Sequence, residues 1–297
     1  LGSGGSMAGM DLVQDIIILR NDSTESSLTN THIAQGVNSD SDVTTLIPSV
    51  SAAALTVSGA RLRIRSGTNF APGGTVTGEG IAIFGTFDME ANTVTVSDSW
   101  NATGGSFTGT NLVIFHASSV SGTILSNTSS FTDVRFSSGT WLLSDAMHTD
   151  DTFTVLNGTF RQGTSQLTVQ GDVRIAADAS FERASNSALF TLTGDLRIED
   201  EAGVNLGDVQ IGQSPDTVTL SGALTVDSLV IGNGDTLIAN GYDITIGSGG
   251  LTLNGLLDAT DSGSSITTLR VGGAWITSGD GGYTAGSSHV IFDAEDR

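Results

Sequence analysis

Two short strands of alternating apolar and polar residues, meeting at a glycine, recur through this sequence. The unit reads Leu55-Thr-Val-Ser-Gly59-Ala-Arg-Leu-Arg-Ile64, Leu167-Thr-Val-Gln-Gly171-Asp-Val-Arg-Ile175, Phe190-Thr-Leu-Thr-Gly194-Asp-Leu-Arg-Ile198 and Val218-Thr-Leu-Ser-Gly222-Ala-Leu-Thr-Val226. Looser copies are Ile244-Thr-Ile-Gly-Ser-Gly-Gly-Leu-Thr-Leu253 and Leu269-Arg-Val-Gly-Gly-Ala-Trp275. Alternation puts Leu167, Val169, Val173 and Ile175 on one face and the polar residues between them on the other, as a sheet with one dry and one wet side requires. Glycine turns the corner, because without a Cβ it permits the bend and lets neighbouring backbones approach. The hinges Gly171, Gly194, Gly222, Gly249 and Gly272 lie 23, 28, 27 and 23 residues apart, which is one supersecondary unit per step. Two strands at the hinge and a third between hinges, such as Ser228-Leu-Val-Ile231, make a three-sided coil of parallel strands. Coils stack about 4.8 Å apart, so roughly ten of them predict a rod about 50 Å long.

The composition fits such a chain. Its 297 residues hold 39 Gly, only 3 Pro and 38% hydrophobic residues, the mixture that many short strands and tight polar turns need. Regularly spaced Val, Ile and Leu exclude disorder. The net charge is −21, from 32 acidic residues against 11 basic ones, and every basic residue is Arg. Nucleic acid is therefore excluded as a partner on charge grounds. An acidic surface of this kind suits an exposed protein in salty surroundings. There is no Cys, so no disulfide or thiolate metal site can form. The longest aliphatic run, Ile16-Ile17-Ile18-Leu19, is too short to cross a bilayer, so membrane insertion is not expected.

A second repeat is longer. Asp98-Ser-Trp100-Asn-Ala-Thr-Gly-Gly-Ser-Phe107-Thr-Gly109-Thr-Asn-Leu-Val113-Ile-Phe115 matches Gly273-Ala-Trp275, Tyr283-Thr-Ala-Gly286 and Val290-Ile-Phe292 in order. Trp100, Phe115, Trp275 and Phe292 are accordingly read as equivalent core positions. The two repeats together resemble those of large bacterial surface proteins with right-handed β-helices, such as filamentous-haemagglutinin-like exoproteins and autotransporter passengers. The resemblance covers about residues 55–297. It implies an all-β fold, a right-handed parallel β-helix, that is, a three-sided β-solenoid with an N-terminal cap. It also implies export and an adhesive or scaffolding role, neither of which follows from the spacing.

The expected organisation is a linker or expression remnant at 1–10, a cap or donated strand at 11–54, and one β-helix domain at 55–297. A solenoid's first coil exposes unpaired backbone and open core, which a cap would cover. The alternative is that Leu12–Leu19, with Ile16, Ile17 and Ile18 at its centre, is a strand given to a neighbouring molecule. The last strand, Val290-Ile-Phe292, has no polar cap after it, which suggests either a longer solenoid or copies stacked end to end. A non-closing contact of that kind gives filaments.

Residues with chemistry to offer are few. Glycosidases need two carboxylates at a defined separation and lyases a base; the acidic clusters Asp150-Asp151 and Glu199-Asp200-Glu201 lie at turn signals, and without Lys the base would have to be Arg. The four His at 32, 116, 148 and 289 show no metal-ligand spacing. Gly232-Asn-Gly-Asp235 through Tyr-Asp243 is a weak echo of the nonapeptide calcium roll, so Asp235 and Asp243 are the candidates if calcium binds; otherwise no cofactor is expected. Asp172 with Arg174, and Asp195 with Arg197, are expected to form outward rows paired between coils. Arg61, Arg63 and Arg65 alternate with Leu62 and Ile64 into a basic stripe, a site for self-association with another copy's acidic face.

The sequence thus points to an extracellular or cell-surface structural or adhesive module rather than an enzyme: a segment or subunit of a stalk, filament or surface layer. Its main expected partner is itself, with polysaccharide or a host surface as a further one. The alternative is a carbohydrate-active or carbohydrate-binding β-helix.

Overall fold

The computed structural model describes residues 16–19, 27–28, 31–34, 42–45, 49–52, 55–58, 61–64 and 69–72, then 75–89, 91–109, 111–183, 188–212, 215–260 and 266–293, with side-chain surroundings given only from residue 75 onward. Every regular element among them is a β-strand and none is helical. The strands pair in parallel, and the chain is a β-solenoid of about 10 turns, as the hinged alternation predicts. Parallel neighbours need a long return path; here the other two sides of the coil supply it. The chain divides into two compact units, Leu1–Val134 and Arg135–Arg297.

In the first unit three rows of strands are visible. One runs Ile16–Leu19, Asp42–Thr45, Arg61–Ile64, then residues 80–83, 99–101 and 123–125. A second runs Ser27–Leu28, Ser49–Ala52, Asn69–Pro72, Thr86–Asp88 and Ser106–Thr108. The third runs Thr31–Ala34, Leu55–Ser58, then residues 76–77, 94–96 and 113–115. Residues 11–54, set apart in the sequence as cap or donated strand, contribute strands to all three rows. Inside this unit Ile81, Phe87, Val94, Trp100, Phe107, Val113, Phe115, Ile124 and Phe131 are buried.

The second unit repeats the plan. Along one row Met147 pairs with Leu167, Leu167 with Phe190, Phe190 with Val209, Val209 with Leu229, Leu229 with Leu251 and Leu251 with Trp275. Those partners lie 20, 23, 19, 20, 22 and 24 residues apart, so the coil length varies with its turns while the strands keep register. On this side two apolar residues per coil, such as Leu167 and Val169 and then Phe190 and Leu192, are stacked on those before. Phe136, Phe153, Phe160 and Phe190 fill one end of this core, and Leu220, Leu237, Ile244, Leu257 and Leu269 continue it, all with 0% exposure. Each such side chain contributes about 1.5–3 kcal/mol by leaving water.

The hinge glycines do not all mark the same corner. Gly171 and Gly194 follow strands Leu167–Val169 and Leu189–Leu192 of the row just named, whereas Gly222 follows Thr217–Leu220, which pairs with residues 196–198 on another side. Gly272 follows Thr268–Val271, which pairs with residues 244–246 on the third side. All three corners therefore use one local sequence, since every side is an alternating strand and every corner brings backbones close. A Cβ on Gly171 would lie 2.6 Å from the Asp151 backbone, and one on Gly194, whose φ is +87°, 2.7 Å from the Gln170 carbonyl oxygen.

Candidate functional site

The two copies of the Trp-aromatic-Phe repeat fold alike but differ in what covers them. In the first unit Trp100 lies edge-on to Phe107, with ring centroids 4.9 Å apart, and 6.4 Å from Phe115. Each of the three residues comes from a different side of the coil, so together they make one complete layer of core. Phe131, from the coil that follows, lies 5.3, 4.5 and 6.0 Å from Trp100, Phe107 and Phe115, and all four are buried.

In the second unit Trp275 meets Tyr283 edge-on at 5.2 Å and Phe292 at 5.9 Å. The layer is the same, and among the described residues no further coil covers it. Phe292 is 65% exposed and Ile276 53%, while Trp275 and Tyr283 are half-buried. Among the described residues the strands Trp275–Thr277, Gly282–Thr284 and His289–Phe292 pair only with Ile244–Leu253, Leu256–Asp258 and Thr268–Val271 of the coil before. Their other edges, beside aromatic surface, have no strand partner among the described residues. Polar contacts order the layer: Trp275 Nε1 donates to Thr277 Oγ1 at 3.1 Å, and the Tyr283 hydroxyl lies 2.6 Å from Ser288 Oγ. Trp100 and Phe115 are buried, whereas Trp275 and Phe292, expected as core from the repeat, are not: Phe292 is mostly exposed and Trp275 half-buried, because among the described residues no coil follows theirs.

The remaining candidates lie elsewhere. Ile16, Ile17 and Ile18 belong to a strand paired with Asp42–Thr45 of the same chain. Arg61 and Arg63 lie in a strand paired on both edges, with Asp42–Thr45 and residues 80–83; Arg65 lies outside the described residues. Asp243 is exposed and its Oδ1 accepts from the Thr268 amide at 2.7 Å. Asp172 and Asp195 do the same for the amides of Arg197, at 2.7 Å, and Thr217, at 2.8 Å. These three carboxylates tie one coil's corner to the backbone of the next. The outward ion pairs have other acidic partners: Arg174 lies 3.1 Å from Glu199 and 3.4 Å from Glu201, and Arg161 lies 2.7 Å from Glu182. Arg174 faces Glu199 and Arg161 faces Glu182 in the strand register, so they are cross-coil ladders. His148 lies 3.0 Å from Asp150 on the surface.

Three polar groups are more deeply buried than the sequence reading, which named Asp235 as a calcium candidate and Asp200 in a solvated turn cluster and did not single out Arg183, expected. Arg183 is only 10% exposed at its side chain and is paired with Asp227, whose other oxygen accepts from Asn205 Nδ2 at 2.6 Å. Its guanidinium passes where a Cβ of Gly207 would stand. Asp200 is 6% exposed, and its burial raises the carboxyl pKa above the usual 3.8 against the opposing effect of backbone amides at Gly203, Ala202 and Val204. Asp235 is 1% exposed, and its Oδ1 accepts from the Asp216 amide at 3.0 Å. Only its place 19 residues after Asp216, one coil away, hinted at that pairing. Among the described residues no group of three or more His, Asp or Glu gathers as a metal cluster. No family model, curated protein or solved structure matches the chain.

Proposed function

We propose that this protein is a structural or adhesive β-solenoid module of the cell surface or exterior, and that copies join end to end as the subunits of a stalk, filament or surface layer. The observation that carries the reading is the open layer of Trp275, Tyr283 and Phe292. Its counterpart at Trp100, Phe107 and Phe115 is completed by Phe131 from one further parallel coil. Aromatic surface and strand edges presented together are a template for one further parallel coil, supplied by a second copy or by the same polypeptide where it continues past residue 297. A second copy supplying a coil there would bury the rings and pair the strands in one step. Because the two surfaces in such a contact differ, it propagates rather than closes. The acidic, Cys-free composition and the likeness of the repeats to bacterial surface β-helices support an external location.

The test is the size of the purified chain by light scattering and electron microscopy over a concentration series, beside the variants Phe292→Asp and Ile276→Asp. Both side chains are more than half exposed, and circular dichroism checks that each variant is folded. The parent is expected to form end-joined species that both substitutions reduce to single chains. A parent that stays monomeric at every concentration, or assemblies indifferent to both changes, would overturn the reading. A carbohydrate-binding role would instead use the shallow groove of about 390 Å³ lined by Asp172, Asp195, Arg197, Thr217 and Thr219, and glycan-array binding abolished by Arg197→Ala would favour it.

A further inference from the structure

Asn157 and Gly158 make the corner between strands Phe153–Val155 and Gly158–Gly163. Asn157 is exposed, and its own amide donates to the Phe136 carbonyl at 3.2 Å. The Gly158 amide donates to Oδ1 of the Asn157 side chain at 2.8 Å. Glycine is required here, because its φ is +90° and a Cβ would stand 2.3 Å from the Gly139 carbonyl oxygen. The fold thus holds a backbone nitrogen, unhindered by any side chain of its own, beside the oxygen bonded to Asn157 Cγ.

Three other Asn-Gly pairs occur in the sequence, at Asn233, Asn240 and Asn254. Their surroundings differ. Gly255 donates its amide to the Ile231 carbonyl at 3.1 Å, and Asn254 Oδ1 accepts from Ser278 Oγ. Asn240 Nδ2 is tied to the Leu220 carbonyl at 3.3 Å. Asn233 and Gly234 are both exposed, and among the described residues no hydrogen bond holds the Gly234 nitrogen against the Asn233 side chain.

We propose that Asn157 is a self-modifying site of the folded chain, converted to aspartate and isoaspartate by the Gly158 nitrogen and water. Hydroxide takes the Gly158 amide proton, the nitrogen bonds to Cγ, and Nδ2 leaves as ammonia with a proton from water, regenerating hydroxide. Water then opens the five-membered imide: cleavage at Cγ gives aspartate, and cleavage at the backbone carbonyl gives isoaspartate. No oxidant, reductant or further reagent takes part. Isoaspartate routes the chain through Cβ and Cγ and so adds one carbon to the backbone just before Gly158. Since Gly158 packs on Gly139 without room for a Cβ, the longer link displaces the corner and loosens Gly158–Gly163 from Ala179–Arg183, its partner strand. The site is independent of end-to-end assembly.

The full chain is held in mildly alkaline buffer, native and in urea, and peptide mass spectrometry with electron-transfer fragmentation follows each Asn-Gly pair and separates aspartate from isoaspartate. In the folded chain Asn157 should lead, reacting about fivefold or more faster than Asn240 and Asn254, because positioning replaces the search for the reactive geometry. In urea the four rates should converge. Asn157→Gln, whose longer side chain would have to close a six-membered ring, should silence that corner and leave the other three pairs unchanged, with circular dichroism establishing its fold; should it not fold, the native and urea rates of the parent decide. Native chains carrying isoaspartate at 157 should lose amide-exchange protection over Gly158–Gly163. Any other pair matching or overtaking Asn157 in the folded chain, or a slower reaction at Asn157 folded than in urea, would overturn the site, and unchanged protection would overturn the loosening.

Discussion

Asp200 shows how one buried residue couples this fold to pH. Its Oδ1 accepts from the amides of Ala202 and Gly203 at 3.0 and 2.9 Å, but burial dominates and raises the pKa above 3.8. The folded chain therefore holds this proton over a range in which the unfolded chain has released it. Between 3.8 and the raised value the native state binds more protons, so this group's contribution to stability is complete below 3.8, falls as pH rises through the window, and is level above it. Asp200→Asn keeps an oxygen for the two amides and abolishes the titration. Denaturation of parent and variant from pH 3 to 7 should show the variant gaining on the parent as pH rises through the window and holding that advantage at neutral pH. A difference independent of pH would refute the linkage. The sequence placed Asp200 in a turn cluster of solvated acids, because turn propensity registers the residue type and not the neighbouring coil that covers it.

At the scale of the strands, two ladders compete as the source of cohesion between coils. Arg161 and Glu182 face each other across a coil, but both are close to half exposed, at 48% and 46%, and pairs of that kind contribute about 0.2–1 kcal/mol. Phe160, next to Arg161 and pointing inward, has no exposed surface and lies 4.8, 5.2 and 5.4 Å from the rings of Phe136, Phe153 and Phe181. Removing it leaves a cavity and should cost about 3–5 kcal/mol. The inner ladder thus outweighs the outer severalfold. Urea unfolding should find Phe160→Ala destabilised by that amount and Glu182→Gln by less than about 1 kcal/mol; equal losses would mean that the surface pairs govern stacking. This division was legible in the sequence, since alternation alone sends Phe160 in and Arg161 out. The identity of each corner was not. Gly171, Gly222 and Gly272 share one local sequence on three different corners, and turns that change the coil length between 19 and 24 residues hide which strands will meet. The same uncertainty concealed Asp216 beside Asp235.

For the molecule as a whole, stability in a solenoid is close to a sum of coils and the contacts between neighbours. A layer with a neighbour on one side only must open more readily than one held on both. The sequence presents the Trp100 and Trp275 repeats as equals, because it carries the residues of a layer but not their cover. Hydrogen exchange separates them: in dilute single chains the amides of His289–Phe292 and Gly282–Thr284 should exchange at least tenfold faster than those of residues 94–96 and 113–115, which pair with strands on both edges or lie under Phe131. If the end-to-end reading holds, concentrating the chain should slow the first set and leave the second unchanged. Salt sharpens the comparison. Copies that each carry −21 repel one another at low ionic strength, with a screening length of about 30 Å at 0.01 M that shrinks to about 8 Å at 0.15 M. Protection of the terminal strands should therefore appear at lower protein concentration as salt is raised, the opposite of an association held by charge pairs. Exchange at Gly282–Phe292 that ignores both concentration and salt would show the open layer to be a stable surface of the single chain, not a joint.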